Sequence, residues 1–178
     1  ENLINTYEIL RSEQKKFLEN LSQRTDINTG TLKDIRRLSM QISARNQISG
    51  IVELITNGTV NAEVYIKLKS GYTIVSVITN TAVSNLNLKL GDEVVAIFKS
   101  NTVLITTDIS LNISARNKLQ GKVDSINKGE INSELIIDIG NGDKVASIIT
   151  SNSIDNLKIK EGAQVSAIIK ASDVMIGK

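Results

Sequence analysis

Ten polar residues recur, type for type, 71 positions further along the chain (114 − 43 = 71). Ser43, Arg45, Asn46, Asn61, Glu63, Ser76, Thr79, Asn85, Lys89 and Lys99 return as Ser114, Arg116, Asn117, Asn132, Glu134, Ser147, Thr150, Asn156, Lys160 and Lys170. Hydroxyls, amides and positive charges dominate the set, and Glu63 with its twin is its only acid. Hydrolysis by general acid and base usually needs two carboxylates, and nothing pairs with Glu63 within its repeat. The chain has no Cys and no His, so thiol nucleophiles, imidazole bases and Cys/His zinc sites are excluded. No phosphate loop or catalytic triad is visible, and the chain does not read as an enzyme. A donor-rich, carboxylate-poor set suits a small oxyanion, with backbone N–H groups near small residues and after Thr79 as further donors. A plainer reading stands beside it. Ser43-Ala44-Arg45-Asn46 would open a strand and satisfy backbone at a barrel end, with Lys99 merely solvated.

The elements that must position these residues follow from the repeat itself. Ile42-Ser43-Ala44-Arg45-Asn46 returns unchanged as Ile113-Ser114-Ala115-Arg116-Asn117, and 26 of the 66 positions aligned from 42–107 onto 113–178 are identical without a gap. A module of that size has a marginal core alone, so two should pack together or oligomerise. Strands are expected near 44–54, 62–69, 72–79, 93–98 and 102–106, and again near 115–125, 133–139, 143–149, 164–169 and 173–176. Val64-Tyr65-Ile66-Lys67-Leu68 alternates as a half-buried strand does. Lys69-Ser70-Gly71 reads as a tight turn with Gly140-Asn141-Gly142-Asp143 as its twin, and 81–86 as one helical turn. Five short strands per repeat predict a mainly β chain of two small five-stranded barrels.

Upstream, Leu3, Tyr7, Leu10, Phe17 and Leu21 share one face of a predicted helix over residues 1–21, which packs on its own domain or pairs with a second copy. Residues 22–30 are polar and read as a linker, and Thr31 opens a short helix that ends before Met40. The first residue is Glu1, which fits a piece of something longer. A net charge of +2 is too small to argue for nucleic acid or an anionic membrane. An oligonucleotide-binding barrel would also want stacking aromatics, and the barrels hold only Tyr65, Tyr72 and Phe98. No apolar run approaches the roughly 18 residues of a membrane span.

The motifs also resemble a family. Ser43-Ala44-Arg45-Asn46-Gln47, Gly50, Val60-Asn61-Ala62-Glu63-Val64, Ile78-Thr79-Asn80 and Leu90-Gly91-Asp92-Glu93-Val94-Val95-Ala96-Ile97-Phe98-Lys99-Ser100 are similar, in order and spacing, to the molybdate-binding Mop (TOBE-type) module. The second copy resembles it equally, so residues 38–178 look like a tandem pair. With the preceding helix, the arrangement resembles the effector half of ModE-type molybdate-responsive transcriptional regulators. That resemblance implies two tandem OB-like five-stranded barrels preceded by an N-terminal α-helix. Residues 1–30 would be a dimerisation helix and linker left from an absent winged helix-turn-helix domain, 31–109 the first module and 110–178 the second. It implies a cytoplasmic homodimer that reaches DNA only through the absent domain. The ligand would be molybdate, or tungstate of like size and charge. The alternative in the same family is a molbindin that stores the anion.

The resemblance also implies site residues. One subunit would supply Ser43, Ala44, Arg45, Asn46, Lys99 and Ser100, and another Thr79, Asn80 and Ala82. The second copy would use Ser114, Ala115, Arg116, Asn117, Lys170 and Ala171 with Thr150, Ser151 and Ser153. The family often has Ser three residues after the Thr. Ser153 keeps it, whereas Ala82 lacks the hydroxyl, a loss of about 1 kcal/mol unless Thr81 or water replaces it.

Overall fold

The computed structural model describes residues 42–178. The helix expected over 1–21, the linker and the short helix from Thr31 lie outside the described residues. The first repeat forms β1 (Asn46–Asn57), β2 (Asn61–Leu68), β3 (Thr73–Thr79), α1 (Asn80–Asn85), β4 (Glu93–Phe98) and β5 (Leu104–Thr106). The second forms β6 (Asn117–Lys128), β7 (Asn132–Gly140), β8 (Asp143–Thr150), α2 (Ser151–Asn156), β9 (Gln164–Ile169) and β10 (Met175–Gly177). One 3-10 turn precedes β5 (Ser100–Thr102) and another precedes β10 (Ala171–Asp173).

The period-2 pattern decides which faces are buried. In β2, Ala62, Val64, Ile66 and Leu68 point inward, while Glu63, Tyr65 and Lys67 alternate outward. Val64, Ile66 and Ile74 are fully buried, and so are their counterparts Leu135, Ile137 and Val145. Burying such side chains contributes roughly 1.5–3 kcal/mol each, and one apolar cluster runs through both repeats. At Gly50, β1 pairs with Leu68 of β2 and with Val94 of β4. A Cβ there would stand 2.6 Å from Lys67 O, so only glycine fits where the strand bends to serve both neighbours. A bulge between Val52 and Leu54 continues the bend.

The sheets run β10-β4-β1-β2-β3 and β5-β9-β6-β7-β8. Each therefore takes its fifth strand from the other repeat. Leu104 pairs with Ile168 and Thr106 with Ser166, while Met175 pairs with Ile97 and Gly177 with Val95. Each exchanged strand also lies against the far edge of its sheet, β10 on β3 and β5 on β8, so the sheets curl into barrels. Chain order had suggested five strands of one repeat closing on themselves. Buried hydroxyls of β3 and β8 meet the exchanged segments at the residue just before each strand. Ser147 Oγ donates to Val103 O at 2.8 Å, and Ser76 Oγ donates to Val174 O at 2.6 Å. Both serines are inaccessible to solvent, where an unpaired hydroxyl would be costly.

A second pair of contacts joins the repeats. Asn46 Nδ2 donates to Ala146 O at 2.8 Å, and its Oδ1 accepts from Ala146 N at 2.7 Å. Asn117 does the same with Val75, at 2.9 and 2.7 Å. Each amide thus imitates one rung of an antiparallel ladder on the outer edge of β8 or β3. The hairpin tips also meet: Ser70 N donates to Asp143 Oδ2 at 2.8 Å, and Asn141 Nδ2 donates to Lys69 O at 2.9 Å. These tips are not twins. Asn141 and Gly142, both at positive φ, make a two-residue turn closed by Gly140 and Asp143. The first ladder ends earlier, at Lys67 and Thr73, with only Gly71 at positive φ. Residues Ala44–Lys178 form one compact unit.

Candidate oxyanion-binding site

The β1–β4 register assembles the first donor cluster. Asn46 pairs with Phe98, so the residues before Asn46 and those after Phe98 share one barrel edge. Arg45 and Lys99, the residues next to that pair, are exposed, while Ala44, Asn46 and Ser100 are buried; Ser43 is exposed as well. The second cluster has the same basis, Asn117 pairing with Ile169. Ser114, Arg116 and Lys170 are exposed, with Asn117 and Ala171 buried and Ala115 half-buried. Neither Lys99 nor Lys170 has a partner among the described residues.

Thr79 lies elsewhere. It closes β3 opposite Asn61, next to the turn that ends β1. The 12 residues of β1 run from Asn46 to that turn, so the two lie at opposite ends of the strand, whose full extension would be about 35 Å at roughly 3.3 Å per residue. No repeat therefore brings its own Thr to its own Arg and Lys. Thr79 Oγ1 caps α1 by accepting from Ala82 N at 3.1 Å, which leaves its O–H free to donate. Thr150 caps α2 through Ser153 N at 3.2 Å, and its hydroxyl also meets the Ser153 hydroxyl at 2.7 Å. Ala82 offers no such contact.

Several expected donors are already engaged. Asn80 N donates to Val60 O at 3.0 Å and Asn80 Nδ2 to Gly58 O at 2.9 Å. Ser151 N donates to Ile131 O at 2.8 Å and Ser151 Oγ to Gly129 O at 2.6 Å. These residues hold the β1–β2 and β6–β7 turns against the helix starts. The amides of Asn46 and Asn117 are likewise taken up between the barrels. The exposed donors not taken up by backbone are Ser43, Arg45, Lys99 and Thr79, with Ser114, Arg116, Lys170 and Thr150.

The arginines have partners that spacing did not reveal. Arg45 Nη1 lies 2.9 Å from Glu134 Oε1 on the other repeat. Arg116 Nη1 lies 3.2 Å from Glu63 Oε1, and its Nη2 donates to Tyr65 Oη at 3.0 Å. Tyr65 Oη donates in turn to Glu63 Oε2 at 2.7 Å. Glu134 pairs with Ile148, two residues before Thr150, so Arg45 faces the flank of the second barrel and meets an acid there. The arginine side chains remain 62% and 51% exposed, and such pairs are worth at most about 1 kcal/mol. A guanidinium held that loosely can turn to a stronger anion. The repeat-kept glutamate was the signal available in the sequence, but its partner sits 71 − 18 = 53 residues away and in the other barrel.

Fold and site together define a tandem, strand-exchanged β-barrel protein with basic, hydroxyl-bearing barrel edges. A family model described as the TOBE domain matches residues 42–105 and 113–176, and the chain belongs to that family. It is 36% identical over 179 residues to the "Molybdenum transport protein ModE" of Azotobacter vinelandii, covering 98% of this chain and 66% of that one. It is 33% identical over 177 residues to the "Transcriptional regulator ModE" of Yersinia pestis, covering 99% of this chain and 67% of that one. The chain thus spans about two thirds of the length of these relatives. A crystal structure of the cytoplasmic molybdate-binding protein ModG, with molybdate bound, superposes with a TM-score of 0.75 at 41% identity, covering 78% of this chain and 99% of that one. No helix among the described residues is long and apolar enough to cross a membrane.

Proposed function

We propose that this chain is the molybdate-binding effector portion of a ModE-type transcriptional regulator. The observation that carries the reading is the pair of basic edges. Arg45 and Lys99 flank the Asn46–Phe98 pair and Arg116 and Lys170 the Asn117–Ile169 pair, all four are exposed, and both lysines lack side-chain partners among the described residues. The relatives named for molybdate make that anion the ligand of choice, with tungstate its near equivalent. The role is binding rather than catalysis. Following the resemblance to the Mop module, hydroxyls of Thr79 or Thr150 complete each site from a second copy. A dianion bound across copies favours the arrangement in which both halves meet, by no more than its differential affinity for that arrangement. In a cytoplasmic homodimer carrying an upstream DNA-binding domain, that shift would reset the spacing of the domains on DNA.

Calorimetric titration tests the reading, with molybdate as ligand and sulfate as control. Replacing Lys99 with Ala removes one charge-assisted hydrogen bond, about 1.5–3 kcal/mol, and should weaken one class of sites roughly 10- to 100-fold without lowering the melting temperature. Unchanged molybdate affinity in Lys99→Ala would remove this edge from the site.

A further inference from the structure

Glu63 and Glu134 are the one glutamate pair kept identically in both repeats, and each grips an arginine of the opposite repeat. We infer that these glutamates are built-in competitors, whose carboxylates hold the guanidinium faces that the oxyanion takes, so that the strength of each hold sets the affinity of each site. The inference rests on the oxyanion reading above and adds residues to it. A carboxylate presents a guanidinium with the same kind of oxygen pair as an oxyanion, so the two compete for one set of donors. The arginine sides of the pairs are exposed and the glutamate sides only partly so, 21% at Glu134 and 35% at Glu63, so an arginine can leave its glutamate more readily than the buried serine and asparagine contacts between the barrels can open.

The two holds differ. Arg116 is gripped through Glu63 and through Tyr65 Oη, which is itself tied to Glu63. The counterpart of Tyr65 is Ile136 (65 + 71 = 136), which has no hydroxyl, so Arg45 meets Glu134 alone, in an ion pair that lacks hydrogen-bond geometry. The site served by Arg45 should therefore bind more tightly than the one served by Arg116.

The test is titration of the full chain with sodium molybdate, using Glu63→Gln, Glu134→Gln and Tyr65→Phe. Glutamine keeps the shape and removes the charge. Competition predicts that each glutamine variant binds roughly three- to ten-fold tighter at one class of sites. Tyr65→Phe should tighten the weaker class about two-fold and narrow the gap between classes. If the glutamates instead oriented the arginines for the anion, all three variants would bind more weakly, so the sign decides. Asp124→Asn is the control for overall charge. That acid pairs with Lys144 and makes no ion pair with either arginine. Unchanged or weaker binding in the glutamine variants, or an equal gain in Asp124→Asn, overturns the inference while the oxyanion reading stands. No heat with the unsubstituted chain overturns the oxyanion reading, and this one with it.

Discussion

Replacing Asn117 with Ala should cost far more stability than a polar surface residue normally would. The amide is 1% exposed and serves both backbone groups of Val75, accepting from its N–H at 2.7 Å and donating to its C=O at 2.9 Å. Val75 is itself 6% exposed, so water cannot readily replace the lost partner. A buried backbone group left unpaired costs about 1–3 kcal/mol. Two such groups give about 2–6 kcal/mol, a large part of the 5–15 kcal/mol that holds a domain together. In a chain this long, each kcal/mol moves the melting temperature by roughly 2–4 °C, so the drop should be on the order of 10 °C. Urea melts followed by circular dichroism would read the change. Asn117→Asp sharpens the test. Its carboxylate can still accept from Val75 N but faces Val75 O without a donor, so it should be the worse substitution at neutral pH and recover as acid protonates it. A loss below about 0.5 kcal/mol in Asn117→Ala would refute the argument, because the two rungs would then contribute nothing to folding.

Other consequences are smaller or more local. Gly50→Ala should lose about 1–3 kcal/mol, since its new methyl would lie 2.6 Å from Lys67 O and backbone must shift to admit it; a denaturant melt with unchanged midpoint would contradict this. Lys178 Nζ reaches Asp92 Oδ2 and Asn87 O, both at 2.8 Å, and so pins the tail beyond β10 to the first barrel. That hydrogen bond, with a second from Lys89 N, holds the Asp92 carboxyl below its usual 3.8. A carboxyl depressed on folding stabilises above its unfolded value and loses that contribution as pH falls through its folded value. The difference in melting temperature between the native chain and Lys178→Ala should therefore be present at neutral pH and shrink below 3.8. A difference that grew in acid would contradict the assignment.

Much of this architecture was legible because the chain states it twice. The offset of 71 between Ser43 and Ser114 located both modules, and the alternation from Val64 to Leu68 located the strand that carries Glu63. The helical turn expected over 81–86 appears as Asn80–Asn85, capped by Thr79. What stayed hidden was whatever depends on a choice between equals. Val103 and Ile105 match Val174 and Ile176 residue for residue, so either segment fits either barrel, and the serine contacts that accompany the exchange join residues 98 and 44 positions apart. Asn46 and Asn117 form buried rungs between the barrels, which repeat identity alone does not tell from a binding role. The pairing of Arg116 with Glu63 and Tyr65 was invisible for a related reason, since a long side chain finds its partner by position in space and the partner sits in the other barrel.

A crystal structure of the full chain grown with molybdate, with the metal located by its anomalous scattering, tests the central claim most directly. The account predicts a peak within hydrogen-bonding reach of Arg45 and Lys99, with the hydroxyl of Thr79 or Thr150 approaching from a second copy and Glu134 turned away. Peaks remote from both basic edges, or a site closed entirely by one copy, would contradict it.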